Sequence, residues 1–259
     1  MDRRPEVGTL PGAALITGAA RGTGRRIAER LAEKGYFVVL HASPRSLVGA
    51  EAAAAAITAG GSKACALPFD LRELASLPRL TAAAATRFGP LTLLINNAAI
   101  FEADEAAAFE LSRFDAHLSV NLKAPLILGR DFAAQVPAGF EASIINLIDQ
   151  RVFRPTPQFF TYSLSKAALW AATKTMAQAF APLGIRVNAV GPGPVSPNET
   201  QGAAGFARET HGVPLARAVS PDDIAEAVLY LAAARNVTGQ MIAVDAGQHL
   251  AWKTPDVVL

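Results

Sequence analysis

Short apolar runs alternate with longer stretches of helical period along most of this chain. The runs at 13–17, 37–41, 62–67, 91–96, 143–148, 185–190 and 241–244 read as strands. They are nearly continuous in apolar residues, as strands covered on both faces are. Helical patterns fill the stretches 23–34, 47–59, 71–88, 112–136, 162–181 and 222–233. The alanine runs Ala52–Ala56 and Ala82–Ala85 fall inside two of these and are ordinary helix, because alanine is the strongest helix former. This alternation predicts an α/β fold, a doubly wound parallel sheet of about seven strands flanked by helices.

Punctuation supports these elements. Ser220-Pro221-Asp222-Asp223 offers an N-cap, a proline in the first turn and an acid near the third helical position. Gly35, Gly60, Gly89 and Gly184 each precede a strand, where helix C-terminal caps belong. The segment 191–219 breaks the rhythm. It is rich in Gly and Pro, has no clear period and follows a strand's carboxyl end, where such sheets bind ligands, so it reads as a substrate loop or lid.

Composition then narrows the class. The chain has 259 residues, is 51% hydrophobic and carries a formal net charge of +2. That length suits one domain, here the whole of 1–259, and that apolar content excludes a disordered chain. The near-balanced charge leaves no footprint for nucleic acid. Cys65 is the single cysteine, which excludes an internal disulfide and a cysteine-based zinc site, and no metal is expected. No apolar run reaches the length of a signal-peptide core or a membrane span, so a soluble, cytoplasmic protein is expected.

The first candidate site is the turn Thr17-Gly18-Ala19-Ala20-Arg21-Gly22-Thr23-Gly24, placed between the first strand and the first helix. Small residues let the backbone turn tightly and approach a pyrophosphate, and the helix N-terminus supplies free N–H groups. The fold is therefore expected to be a single Rossmann-type domain that binds a dinucleotide. Such folds place Asp or Glu after the second strand when they hold the ribose of NAD. Here the stretch is His41-Ala42-Ser43-Pro44-Arg45-Ser46, with no acid. Ser43, Arg45, Ser46 and Arg21 suit a 2′-phosphate, which favours NADP(H), and His41 is expected among the cofactor contacts. Asp70 and Leu71, after the third strand, are expected near the adenine, although Asp70 also suits a helix cap.

Tyr162 and Lys166 stand four residues apart, which puts them on one helix face. An ammonium near a phenol favours phenolate and is expected to lower the tyrosine pKa, fitting it for proton transfer beside a nicotinamide. With these residues the sequence resembles the short-chain dehydrogenase/reductase family over about residues 11 to 249. The resemblance rests on the glycine turn, Asn96-Asn97-Ala98-Ala99, Asn121, Tyr162 with Lys166, and Gly191-Pro192-Gly193. It implies that Tyr162 is the acid/base, that Lys166 holds the nicotinamide ribose and tunes Tyr162, and that Asn121 supports a water-linked proton path. It also implies cofactor contacts at Gly18, Gly22, Thr23, Gly24, Asn97, Ala98, Ala99, Pro192 and Gly193.

One departure is informative. The family usually has Ser 13 positions before the tyrosine, and this chain has Asp149. An ionised carboxylate cannot donate to a ketone oxygen, but it accepts from ring N–H or amino groups. An aspartate here resembles the pteridine reductase branch, including dihydromonapterin reductases. Phe101, after Asn96-Asn97-Ala98-Ala99-Ile100, takes the place of that branch's ring-stacking aromatic. The run Val120-Asn121-Leu122-Lys123-Ala124-Pro125 and the ending Val244-Asp245-Ala246-Gly247-Gln248-His249-Leu250 agree. Two positions depart from it: Gly22 stands where a turn arginine reaches cofactor and pterin, and Ala99 where a serine touches both. Arg21 or a group from 191–219 is the candidate replacement.

The expected activity is NADPH-dependent reduction of a pterin such as a dihydropterin, dihydromonapterin or a dihydrofolate. Phe101, Asp149, Tyr162 and Pro194 are expected to bind the substrate. Two alternatives stand beside it: a carbonyl or 3-oxoacyl reductase, and a non-catalytic NADP-binding regulatory protein. The resemblance also implies a homotetramer built on the helices at 112–136 and 162–181, with Ala167, Ala168, Ala171 and Ala172 allowing close packing. The tail 251–259, with Trp252, is a candidate for reaching a neighbouring subunit.

Overall fold

The computed structural model describes residues 12–197 and 201–251, so residue 252 and the tail beyond it lie outside the described residues. In chain order the elements are β1 (Ala13–Ile16), α1 (Gly22–Glu33), β2 (Phe37–Ala42), α2 (Leu47–Ala59), β3 (Ala64–Pro68), α3 (Leu77–Phe88), β4 (Leu91–Asn96), α4 (Leu111–Leu118), α5 (Ala124–Gln135), β5 (Ala142–Leu147), α6 (Phe160–Phe180), β6 (Ile185–Pro192), α7 (Gly202–Gly212), α8 (Pro221–Ala233) and β7 (Met241–Val244). The seven strands form one sheet in the order β3-β2-β1-β4-β5-β6-β7. Every neighbouring pair is parallel. The winding reverses between β1 and β4, and a crevice opens there at the carboxyl ends of the strands.

Alternation along each strand feeds two cores. Ala14, Ile16, Val38, Leu40, Leu93 and Ile95 face one layer, where Ile27, Leu31, Ile57, Ile224 and Leu231 of α1, α2 and α8 cover them. Ala13, Leu15, Val39, Leu91 and Leu94 face the other, beneath Leu80, Leu128, Phe132 and Ala177 of α3, α5 and α6. Burial on both faces explains the nearly unbroken apolar runs. Among the described residues no helix is long and apolar enough to cross a membrane.

Local signals decide most boundaries. Ser220 caps α8 in a full capping box with Asp223. Gly35, Gly89 and Gly184 turn the chain with positive φ. At the end of α2 the left-handed residue is Gly61 (φ +92), not Gly60 (φ −77). Three expectations need correcting. The helix expected from residue 71 starts at Leu77, because Leu74–Ser76 is a separate 3-10 turn and Pro78 occupies the first turn of α3. The helix expected over 112–136 is divided by a π-helical stretch, Ser119–Lys123, which shifts the face that follows. The segment 191–219 is not without regular structure: β6 runs on through Pro192, and α7 lies inside it. Gly202, Gly205 and Gly212 are weak helix formers, and they hide the helical period.

Candidate active site

The glycine turn joins β1 to α1 at the switch point. Its first glycine, Gly18, has φ +67, and a Cβ there would lie 2.9 Å from Ala98 Cα. Gly24 packs α1 onto the turn, since a Cβ there would stand 2.4 Å from both Asn97 Nδ2 and Gly18 O. Gly22 has φ +55 and open space where a Cβ would point. The turn is laced to β4. Thr17 Oγ1 accepts from Asn97 N (2.9 Å) and Ala98 N (3.0 Å), and Asn97 Nδ2 donates to Thr17 O (2.8 Å). Arg21 stands at the α1 N-cap without a side-chain cap. The first-turn N–H groups, Thr23 among them, are thus available to an anion. Tight approach, open space over Gly22 and an uncapped helix end fit a pyrophosphate.

His41 is placed beneath this turn rather than on the ligand side. It is 2% exposed. Its Nδ1 accepts from Gly18 N (3.2 Å) and its Nε2 donates to Phe69 O (3.1 Å). Burial pulls its pKa down to about 4, so the ring is neutral and acts as a strut. This replaces the expectation that His41 contacts the cofactor. Beyond it, Ser43 and Ser46 hydrogen-bond to each other (3.3 Å), and Arg45 is exposed. Asp70 does not cap α3. It accepts from Arg72 N (2.9 Å) and pairs with the Arg72 guanidinium, which holds its carboxyl below the usual range. Leu71 is buried beside it. Arg72 adds a cation at this end of the sheet that no motif marks.

Asp149, Tyr162 and Lys166 converge at the end of β5. Asp149 follows the strand by two residues, and α6 carries Tyr162 and Lys166 on one face. All three are buried. The Tyr162 hydroxyl donates to Asp149 Oδ2 at 3.0 Å. Asp149 Oδ1 accepts from Arg151 N (2.8 Å), and the Arg151 guanidinium reaches Oδ2 at 3.2 Å. Lys166 Nζ donates to Leu147 O (2.7 Å) and stands 5.8 Å from the centre of the Tyr162 ring. Burial pulls its pKa to about 8, with Asp149 opposing.

The tyrosine is therefore not acidified by the lysine as expected. Burial pushes the Tyr162 phenol well above its ordinary range, and the charge and hydrogen bond of Asp149 push the same way; Arg151 opposes. The physical reason is the partner: a carboxylate that accepts the phenolic proton favours the protonated phenol. Nothing in the spacing of Arg151 marks this role in the sequence.

Phe101 stands on the loop after β4, 37% exposed. Its ring meets Tyr162 edge-on at 4.7 Å and stacks on Phe159 at 4.2 Å, 8° from parallel. Asn121 lies in the π-helical stretch and is fully buried. It accepts from Ile100 N (2.8 Å) and donates to Ile100 O (2.9 Å) and Ser165 Oγ (3.1 Å). Asn121 thus braces the residue before Phe101. Ala99 is exposed. Across the crevice, a Cβ on Gly193 would lie 2.6 Å from Asp245 Cα. Pro192 ends β6, and Pro194 O accepts from Val219 N (2.9 Å), which joins the two ends of the segment that follows. Among the described residues no cluster of His, Cys, Asp or Glu is arranged to hold a metal.

The chain is similar to known proteins over most of its length. A family model described as enoyl-(acyl carrier protein) reductase matches residues 18–249. A short-chain type dehydrogenase/reductase of Picea abies is 32% identical, covering 91% of this chain and 91% of its own. A 3-oxoacyl-[acyl-carrier-protein] reductase of Staphylococcus aureus is 32% identical, covering 92% and 98%. Among solved structures, the alternative dihydrofolate reductase 1 (FolM) of Brucella canis, complexed with NADP, is similar with a TM-score of 0.91. It is 44% identical and covers 95% of this chain and 97% of its own. With the parallel sheet, the glycine turn and the Tyr162–Lys166 pair in place, the chain belongs to the short-chain dehydrogenase/reductase family.

Proposed function

We propose that this protein is an NADPH-dependent reductase of a pterin, a dihydropterin, dihydromonapterin or dihydrofolate-like compound. NADP(H) is the cofactor, as in the solved neighbours crystallised with it. Gly18, Gly22, Thr23 and Gly24 hold its pyrophosphate, and Ser43, Arg45, Ser46 and Arg21 meet the 2′-phosphate, in keeping with the absence of an acid after β2. Asp70 and Leu71 border the adenine, and Asn97, Ala98, Ala99, Pro192, Gly193 and Lys166 border the nicotinamide end. When bound, NADPH supplies the hydride.

The observation that carries the substrate reading is the Tyr162–Asp149 hydrogen bond of 3.0 Å beside the exposed ring of Phe101. One face of the Phe101 ring is covered by Phe159, and its other face is the one that stacks on a flat heteroaromatic ring in this reading. Asp149 accepts from ring N–H or amino groups, which a ketone does not offer. Tyr162, kept protonated by burial and by Asp149, gives its hydroxyl proton to a ring nitrogen. Lys166 and Arg151 flank the pair and offset the second negative charge that this transfer creates. The dihydrofolate reductase named for the Brucella canis neighbour supports the same substrate class.

Four copies associate through α4, α5 and α6 in this reading, and the protein works in the cytoplasm. Ala167 and Ala171 are exposed and Ala168 and Ala172 half-buried, so the small-residue face is available; size in solution tests it. The activity is tested by NADPH oxidation with dihydrobiopterin, dihydromonapterin and dihydrofolate. Turnover of at least one is expected, falling about 10²–10⁴-fold in Tyr162→Phe, the usual worth of a general acid. Turnover of a 3-oxoacyl ester with none on the three pterins replaces this reading with the carbonyl one. NADPH binding without any turnover makes the chain a binder.

A further inference from the structure

Next to the segments that carry Phe101 and Phe159 lies a buried polar cluster that the chemistry above does not use. His117 of α4 is fully buried, and Asp104 and Thr161 are 7% and 0% exposed. Glu102 N donates to His117 Nε2 at 3.4 Å. That bond leaves the ring proton on Nδ1, which donates to Thr161 Oγ1 at 2.8 Å. The Thr161 hydroxyl in turn donates to Asp104 Oδ2, and Thr161 N donates to Oδ1 of the same carboxylate (3.1 Å). Burial keeps His117 below its ordinary pKa, which preserves this neutral, single-direction chain.

The cluster ties three segments together. Asp104 O accepts from Phe159 N (3.0 Å) and Phe160 N (3.4 Å). Glu105 and Gln158 pair as an isolated antiparallel bridge. Arg113 of α4 donates to Ala103 O (2.7 Å) and pairs with Glu102 (3.2 Å). Phe159 sits in the left-handed region, at φ 58 and ψ 46, which a phenylalanine adopts only when its surroundings hold it there. Its ring then stacks on Phe101, one loop supplying each ring.

We propose that His117, Thr161 and Asp104 are positioning residues whose hydrogen-bonded chain sets the Phe101–Phe159 ring pair and so governs affinity for a flat heteroaromatic substrate. None of the three hydrogen-bonds to the Tyr162 hydroxyl or to the Asp149 carboxylate, although the His117 ring meets the Tyr162 ring edge-on at 6.1 Å. The effect belongs in KM for the ring substrate more than in kcat, and cofactor affinity stays as it was. This inference rests on the pterin reading for its substrate and on the structure alone for the ring geometry.

Thr161→Val removes the hydroxyl at nearly constant volume, and Thr161→Ser restores it. The expected result for Thr161→Val is a rise in KM for the turned-over dihydropterin of about tenfold, the worth of one positioning hydrogen bond. The Kd for NADPH stays unchanged, and Thr161→Ser returns KM toward the parent value. Equal KM in Thr161→Val and the parent, or the same defect in Thr161→Ser, overturns the proposal. Crystal structures of Thr161→Val and of Asp104→Asn read the geometry without substrate. The ring pair is expected to open from 4.2 Å, and rings still stacked at that distance in both variants overturn the proposal. A parent enzyme inert toward every pterin overturns the substrate reading by itself, while the crystal structures still decide the ring geometry.

Discussion

Acid should weaken this protein through one histidine. His41 is 2% exposed and neutral, with Nδ1 accepting from Gly18 and Nε2 donating to Phe69. In the unfolded chain its pKa is the ordinary 6.5, and in the folded protein it falls to about 4. Below pH 6.5 the unfolded state binds a proton that the folded state refuses, so stability is present above that pH and is lost as pH falls toward 4. Each pH unit in that window costs about 1.4 kcal/mol, so acidification to about pH 5 removes about 2 kcal/mol. Because Gly18 opens the cofactor turn, the same protonation sets an N–H of the ring against the Gly18 N–H. The assay is urea unfolding of the parent and of His41→Gln at about pH 7.5 and about pH 5, comparing the change in each. The parent should lose about 2 kcal/mol more than the variant over that interval. Equal losses would refute the reasoning, since the remaining titrating groups are common to both proteins.

Two further substitutions separate packing from conformation. In the glycine turn, Gly24→Ala drives a Cβ to 2.4 Å from Gly18 O, so NADPH affinity should fall at least about tenfold, about 1.4 kcal/mol. Gly22→Ala meets no protein atom and faces only its φ of +55, so the fold should lose about 1–2 kcal/mol, while its methyl enters the space assigned to the pyrophosphate and NADPH affinity should fall as well; urea unfolding and fluorescence titration with NADPH check both variants, and unchanged NADPH affinity in either would contradict the assignment of roles. Asn121→Leu leaves Ile100 N and O without their partner, and urea unfolding should show a loss of about 3 kcal/mol, at about 1–3 for each orphaned group; a loss under about 1 kcal/mol would show that the brace is dispensable.

What the sequence made legible is what local chemistry encodes. The capping box of Ser220 and Asp223 needs only its own four residues, and the four-residue spacing of Tyr162 and Lys166 needs only a helix. The apolar runs predict the sheet because its central strands are covered on both faces, while the edge strands β3 and β7 are only partly buried. What stayed hidden depends on partners far along the chain. His41 reads as a ligand contact until Gly18 and Phe69 are seen on its two nitrogens. Tyr162 reads as acidified by Lys166 until its hydroxyl is found on Asp149. Arg151, Phe159, Thr161 and Asp104 carry no motif, and their roles arise from loops that meet only in the fold. The break between α4 and α5 stayed hidden because the π-helical turn keeps the local composition of a helix.

The central claim is that Asp149 makes this site select a nitrogen heterocycle over a carbonyl. The most direct measurement is the ratio of kcat/KM for a dihydropterin to that for a 3-oxoacyl ester, in the parent and in Asp149→Ser. The parent ratio is expected to lie well above one and to shift toward the ester by at least about tenfold in Asp149→Ser, where a hydroxyl now donates to the carbonyl oxygen. A parent that prefers the ester, or a ratio that Asp149→Ser leaves unmoved, would contradict it.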